Sequence, residues 1–207
     1  MSHAPDANAD SAPTTPVMPE EPNATSTTQD IHWPLSGRPG RLTDLPFILR
    51  QESRPEFNCN LIPWPRQQHL DAMAGSTHQY ILFQDSMEQP MGYAILAGLT
   101  SPHQAIELVR LVARHPGIGM GRVMLGAVMT HAFTALEANR LWLDVFTDNA
   151  RARHLYRALG FVEEGVLRDV IKREDSYRSL VIMSLLRREY HAMCSDDPPP
   201  QILEESP

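Results

Sequence analysis

Three alternate glycines, Gly117, Gly119 and Gly121, sit in the run Arg114-His115-Pro116-Gly117-Ile118-Gly119-Met120-Gly121-Arg122, between an apolar strand-like stretch and a helical pattern. Glycine lets a backbone approach a ligand closely, and the free amides at a helix N-terminus favour phosphate oxygens. A pyrophosphate is the natural guest of such a turn, although glycines at a strand-to-helix junction also serve the turn alone. The spacing GxGxG departs from the dinucleotide fingerprint GxGxxG, and no acidic strand end lies about 20 residues on. No lysine follows the glycines as in a P-loop. A nicotinamide cofactor and a nucleotide-binding enzyme are both disfavoured.

A second constellation lies further on. Leu141-Trp142-Leu143-Asp144-Val145-Phe146 reads as a strand, and the segment from Asp148 to Phe161 reads as a helix leading into the next strand. With these residues the chain resembles the GNAT family of acyl-CoA N-acyltransferases. That family carries a strand ending in a Q/R-x-x-G-x-G/A turn and, later, N-x-x-A-x-x-L-Y-x-x-x-G-F. Here Asn149, Leu155, Tyr156, Gly160 and Phe161 match in register, with Ala152 at the small position. The resemblance covers roughly residues 42–190, and its nearest shape is the branch with ribosomal-protein alanine and spermidine acetyltransferases. Gly165-Val166-Leu167-Arg168, Tyr177 and Met183-Ser184-Leu185-Leu186 look like that branch. In the usual glycine register the Q/R position falls on Pro116, and Arg114 fits only when the motif is counted from Gly117.

The resemblance implies an N-acetyltransferase that moves the acetyl group of acetyl-CoA to a primary amine by direct attack in a ternary complex. It implies that the backbone of Leu111, Val112 and Ala113 pairs with the pantetheine arm like an added strand. Gly117, Ile118, Gly119, Met120, Gly121 and Arg122 would cradle the pyrophosphate. Asn149 would cap its helix and bond the cofactor. Tyr156 matches the tyrosine that protonates the departing thiolate. Two carboxylates compete for the base: Glu107, before the glycine turn, and Asp144, on the following strand. Each could instead be a structural carboxylate paired with Arg110 or Arg140. A catalytically silent acyl-CoA sensor is the alternative function. The acceptor, a small amine or a polypeptide N-terminus, would lie between the first two helices, with Asn58, Asn60, Trp64 and His69, and the turn at Glu174, Asp175 and Ser176. Family members often pair, so a homodimer is expected as possible.

The elements that must position these groups follow from hydrophobic period. An edge strand over 31–38 precedes a helix with Thr43 as N-cap, Asp44 and Pro46 in its first turn, and Leu45, Ile48 and Leu49 facing inward. A second helix spans 66–73. Apolar runs at 79–84 and 91–99 read as a hairpin, and 105–113 as a third strand. Helical spacing after the glycines continues to about residue 138. A strand over 140–147 and a helix over 150–159, stopped by Gly160, are followed by strands over 161–171 and 177–186. This order predicts an α/β fold, one mixed central sheet with helices on both faces.

Composition bounds the rest. The 207 residues suffice for one domain, expected over 31–190. Residues 1–30 have almost no large apolar side chains and read as a disordered leader, as does the acidic, Pro-rich tail 191–207. The net charge of -7 divides into -4 over 1–40, -4 over 191–207 and +1 between them. A near-neutral domain gives no electrostatic reason to bind nucleic acid or an anionic membrane. Cys59 and Cys194 form no CxxC pattern, and no apolar run is long enough for a membrane span or a signal peptide. A cytoplasmic protein with reduced thiols is expected. The histidines share no metal-ligand spacing, so no metal is expected.

Overall fold

A computed structural model describes residues 35–57 and 60–195. Seven strands form one sheet in the order β1-β2-β3-β4-β5-β7-β6. They are β1 (Ser36–Pro39), β2 (His78–Gln84), β3 (Pro90–Ala97), β4 (Ala105–Ala113), β5 (Arg140–Phe146), β6 (Val162–Arg173) and β7 (Ser176–Leu186). The helices are α1 (Leu45–Glu52), α2 (Arg66–Ala74), α3 (Met120–Thr130), α4 (Ala150–Ala158) and α5 (Arg187–Cys194). All strand pairs are antiparallel except β4 with β5, which run parallel. The sheet is mixed, as the order of periods predicts.

Both faces of the sheet are covered. The larger core gathers Phe83, Ala94, Ile106, Leu108, Leu141, Leu143 and Met183 under the buried face of α3, with Tyr156 and Leu155 of α4 and Tyr190 of α5 joining it. The smaller core packs Phe47 and Ile48 of α1 and Ala72 of α2 against Tyr80, Leu82, Tyr93, Ile95 and Val112. At about 25 cal/mol per Å² of apolar surface, these two layers are the main force holding the sheet in place.

Several expected boundaries move. The 31–38 strand is described only from residue 35, and its paired part is Ser36–Pro39; the 1–30 leader lies outside the described residues. The N-cap of α1 is Asp44, not Thr43, because a short 3-10 turn over Leu42–Asp44 comes first. The Asp44 carboxylate accepts from the Arg41 N–H at 2.7 Å and from both terminal nitrogens of Arg38 at 2.8 Å. Leu49 is only half-buried, and Phe47 takes the inward place. The long helix starts earlier, at Met120, and gives way at His131–Ala135 to a wide π turn. Thr130 and Thr134 donate their hydroxyls to the carbonyls of Gly126 and Thr130, at 3.1 and 2.7 Å, a pattern that bends helices.

The domain also ends later than expected. His191, read as the start of the tail, lies inside α5, which runs to Cys194. Tyr190, 3% exposed, stacks on Phe133 at 4.7 Å and donates to Thr130 Oγ1 at 3.1 Å. The helix is short and mostly polar, and it is anchored on the larger core by Tyr190 and, one turn on, by Cys194. Residues 196–207 lie outside the described residues. No helix among the described residues is long and apolar enough to cross a membrane.

Candidate active site

Strand β4 pairs with β5 only from Ala105↔Arg140 to Glu107↔Trp142, and beyond that point the two separate. Each still has a partner on its outer side: β3 follows β4 to Ala113, and β7 follows β5 to Phe146. The inner edge of β4 from Leu108 to Ala113 is therefore left without a strand, and a main-chain ladder edge buried in this way calls for a partner. The opening is the mouth of a cleft of about 800 Å³. Leu111, Val112 and Ala113 line it, together with Gly117, Gly119, Gly121, Arg122, Asn149 and Tyr156.

At the glycine turn the backbone needs glycine. Gly117 and Gly119 have φ of 103° and 84°, in the left-handed region that side chains disfavour. Gly119 caps α3, so the amides of Met120 and Gly121 open the helix and have no carbonyl one turn earlier to bond. The side chain of Met120 is wholly buried in the core and that of Ile118 is exposed, and neither lines the cleft, so only their main chain fits the expected cradle. Arg122 is exposed at the cleft wall, and Pro116 also lies on the wall. Arg114 turns away: its guanidinium donates to the Pro90 carbonyl at 3.3 Å, and its own carbonyl accepts from Arg54 at 2.6 Å. The side chain at the Q/R place of the earlier register thus has no access to the turn.

One cation at the turn was missed. The Arg151 guanidinium lies 3.3 Å from where a Cβ on Gly117 would be, and Arg151 lines the cleft. Its signal in the sequence is an arginine in the first turn of α4, two residues after Asn149, where the helix dipole opposes a cation unless an anion is near. Asn149 does cap α4, its side chain accepting from the Ala152 N–H at 3.2 Å.

The two carboxylates share one face. In the β3–β4 register Ile95 faces Arg110 and Leu96 faces Leu108, so Val109 is a bulge residue. Through that extra residue both Glu107 and Arg110 point toward α1 and α2, away from the core that holds Ile106 and Leu108. On β5, Leu141, Leu143 and Val145 face the larger core, which turns Asp144 to the same side as Glu107. Both carboxylates line the cleft.

The alternative, a structural pairing with Arg110 or Arg140, is not formed among the described residues. Arg140 pairs instead with Glu164, and Arg110 with Glu52 at 3.5 Å; among the described residues neither Glu107 nor Asp144 has a guanidinium within ion-pair distance. Burial raises the Glu107 carboxyl above its ordinary range, Asp144 raises it further, and Arg110 opposes both. Burial likewise raises Asp144, against Arg110. Asp144 is still exposed at the open cleft, so an apolar ligand covering it would strengthen the effect of burial and an ammonium beside it would oppose it. Tyr156, part-buried on α4 with its ring 5.8 Å from Phe161, has its hydroxyl pushed up to about 12, first by burial and then by Asp144. That hydroxyl makes no hydrogen bond to a described residue, so it is available to a ligand.

The opposite wall is held by a buried polar cluster that sequence reasoning did not assemble. Glu52 accepts from the Tyr93 hydroxyl and from the Trp64 N–H, each at 2.8 Å. The His69 ring approaches Glu52 at 3.6 Å, too far for a hydrogen bond, while its Nδ1 meets the Tyr80 hydroxyl at 2.9 Å. Burial works to raise the Glu52 carboxyl, but the His69 ring, the Trp64 amide, Arg110 and Tyr93 together hold it below its ordinary range. Arg110 in turn donates to the Ile62 carbonyl at 2.6 Å and lies 5.1 Å over the Trp64 ring. Asn60 and Trp64 line the cleft as expected. His69 does not, being fully buried, and Asn58 lies outside the described residues. The β6–β7 hairpin contributes Ile171 and Leu180, and Glu174, Asp175 and Ser176 are off the wall. No group of three His, Cys, Asp or Glu is placed to hold a metal among the described residues.

The profile of the acetyltransferase (GNAT) family matches residues 46–161, more than half of the chain. The chain belongs to the GNAT family. Among its relatives, the spermidine N(1)-acetyltransferase of Vibrio cholerae is 29% identical over 108 residues, which cover 52% of this chain and 62% of that protein. The putative ribosomal N-acetyltransferase YdaF of Bacillus subtilis is 27% identical over 145 residues, 70% of this chain and 76% of that one. Among solved structures, spermidine N-acetyltransferase from Vibrio cholerae in complex with CoA and spermine matches with a TM-score of 0.70 at 23% identity. That alignment covers 76% of this chain and 98% of the other, and at this identity it establishes the shared fold alone. The chain thus spans less than two thirds of the first of these relatives by sequence and nearly all of it by fold.

Proposed function

We propose that this GNAT protein is an N-acetyltransferase that binds acetyl-CoA along the open inner edge of β4 and transfers the acetyl group to a primary amine. The observation that carries the reading is the early separation of β4 from β5, with an unbonded tyrosine hydroxyl and two unpaired carboxylates in the gap. The pantetheine arm fits the unpaired main chain of Leu111 to Ala113. The pyrophosphate fits the left-handed glycines and the first amides of α3, with Arg122 and Arg151 beside them.

Within this reading the amine enters as its ammonium ion and loses one proton to Glu107 or Asp144, whose raised carboxyls are the better bases for it. The nitrogen lone pair then attacks the thioester carbon, a C–N bond replaces the C–S bond, Tyr156 gives its proton to the departing sulfur, and the second proton shed by the acylated nitrogen returns to the Tyr156 oxygen. A hydroxyl held at about 12 stays protonated at neutral pH and can serve as that acid. The transfer is direct, with no acetyl group resting on the protein. A silent acyl-CoA sensor would have no need of free carboxylates beside Tyr156.

A homodimer belongs to the same reading: β6, at the outer edge of the sheet, exposes Val162, Val166, Leu167 and Val170. Light scattering on the full chain should then give twice the chain mass. A cytoplasmic setting suits the reading, since two cysteines without a disulfide spacing are compatible with a reducing compartment. The test of function is thiol release from acetyl-CoA by the full chain against a panel of amines. Amine-dependent release supports the reading, and binding of acetyl-CoA with no release from any amine overturns it.

A further inference from the structure

We propose, resting on the acetyl-transfer reading, that the acceptor is an amine with a single positive charge beside an apolar body, and not a polyamine. Three carboxylates lie on the cleft wall: Glu56, Glu107 and Asp144. Glu56 is engaged, with Arg54 Nε donating to it at 2.8 Å. Glu107 and Asp144 are the pair at the reacting end, where the nitrogen to be acetylated must lie. They hold the first cation and are used up by it.

Beyond them the wall changes character. Leu61, Ile62 and Trp64 form it on the α1–α2 side, and Ile171 and Leu180 on the hairpin side. Two guanidiniums lie next to these side chains, Arg110 donating to the Ile62 carbonyl at 2.6 Å and Arg173 to the Leu61 carbonyl at 2.8 Å; Glu52 balances Arg110, so the net charge on this wall is the positive charge of Arg173. The second ammonium of a polyamine, three or four methylenes further on, would stand among apolar side chains and near two guanidiniums. A charge withdrawn from water into such a place without a partner is disfavoured, and like charges add to the cost. An alkyl or aryl group in the same place gains from burial. The acids of the turn after β6, Glu174 and Asp175, which would have received a second cation, do not line the cleft.

The same chemistry could come from a small alkyl or aryl-alkyl amine or from the free N-terminal residue of a polypeptide with an apolar side chain. The experiment compares kcat/KM of the full chain at saturating acetyl-CoA for hexylamine, phenethylamine, a tripeptide amide with N-terminal leucine, and spermidine. At least one monocationic acceptor should exceed spermidine by about tenfold or more, the usual scale of discrimination by one mismatched group; which one distinguishes the two sources. Spermidine equal to or better than all three overturns this inference and leaves the acetyl-transfer reading standing. Release with none of them, although acetyl-CoA binds, overturns both. A variant probes the wall directly. Ile62 is 41% exposed, so Ile62→Glu is tolerated by the fold and places a carboxylate where the second cation would lie. It should raise spermidine relative to hexylamine by about tenfold with acetyl-CoA affinity unchanged, and an unaltered ratio would contradict the placement.

Discussion

Replacing Glu52 by glutamine keeps the shape of the buried cluster and removes its one negative charge. Glu52 Oε1 lies 3.5 Å from Arg110 Nε, and at an effective dielectric constant of about 20 that pair interacts by roughly 5 kcal/mol. Desolvation of both ions offsets part of this, yet taking away one partner strands the other, at a cost of about 3–5 kcal/mol. The Arg110 side chain retains 14% exposure, which favours the lower end, while the single amide oxygen of glutamine can accept from Tyr93 or from Trp64 but not from both, so about 3 kcal/mol is the least expected. Urea unfolding at pH 7 reads this as a fall in midpoint of about 1.5 M if the slope is about 2 kcal/mol/M. Because the Glu52 carboxyl is held below its ordinary range, its contribution is complete above the unfolded value, about 4.3, and is lost as the pH falls through the lower folded value. The difference between wild type and Glu52→Gln should therefore be constant from pH 7 to 5 and shrink below about pH 4. A loss under about 1 kcal/mol at pH 7, or a difference that widens on acidification, would refute the reasoning.

Tyr156→Phe should lower kcat by about 10²-fold, the scale of a positioned acid, with acetyl-CoA Kd unchanged by calorimetry. Because that hydroxyl is pushed up to about 12, the wild-type rate should show no alkaline loss from this group below about pH 10. Glu107 and Asp144 are both raised above the ordinary carboxylate range, so the acidic limb of the kcat/KM profile should lie above about pH 4.5, with activity lost as pH falls through it. Glu107→Gln and Asp144→Asn, profiled separately, identify the base as the variant that abolishes the limb. Gly119→Ala forces a side chain to φ 84°, costing about 1–2 kcal/mol in the turn, and should weaken acetyl-CoA about tenfold by calorimetry.

Long periodic elements were legible in the sequence: 105–113 matches β4 residue for residue, and Asn149 caps α4 as its side-chain chemistry requires. The glycine turn was legible because positive φ selects glycine. What stayed hidden depends on contacts distant in sequence. Glu52, His69, Tyr80, Tyr93 and Arg110 come from five elements, and no local spacing joins them. His69, expected on the acceptor groove, is buried because α2 turns it toward Tyr80 and Glu52. Arg151 meets the glycine turn across the cleft, and α5 is held by Tyr190 on Phe133 and by Cys194 on the same core. The side-chain phase of Arg110 rests on a bulge at Val109 that strict alternation along a strand could not foretell.

The central claim is that the gap between β4 and β5 hands an acetyl group directly from a thioester to an amine. Mixing the full chain with acetyl-CoA and an accepted amine, and following free thiol and acetylated amine together by mass spectrometry, tests it most directly. The account predicts one thiol for each acetylated amine, none without the amine, and no mass added to the protein. Thiol release that continues without an amine, or an acetyl group found on the chain during turnover, would contradict it.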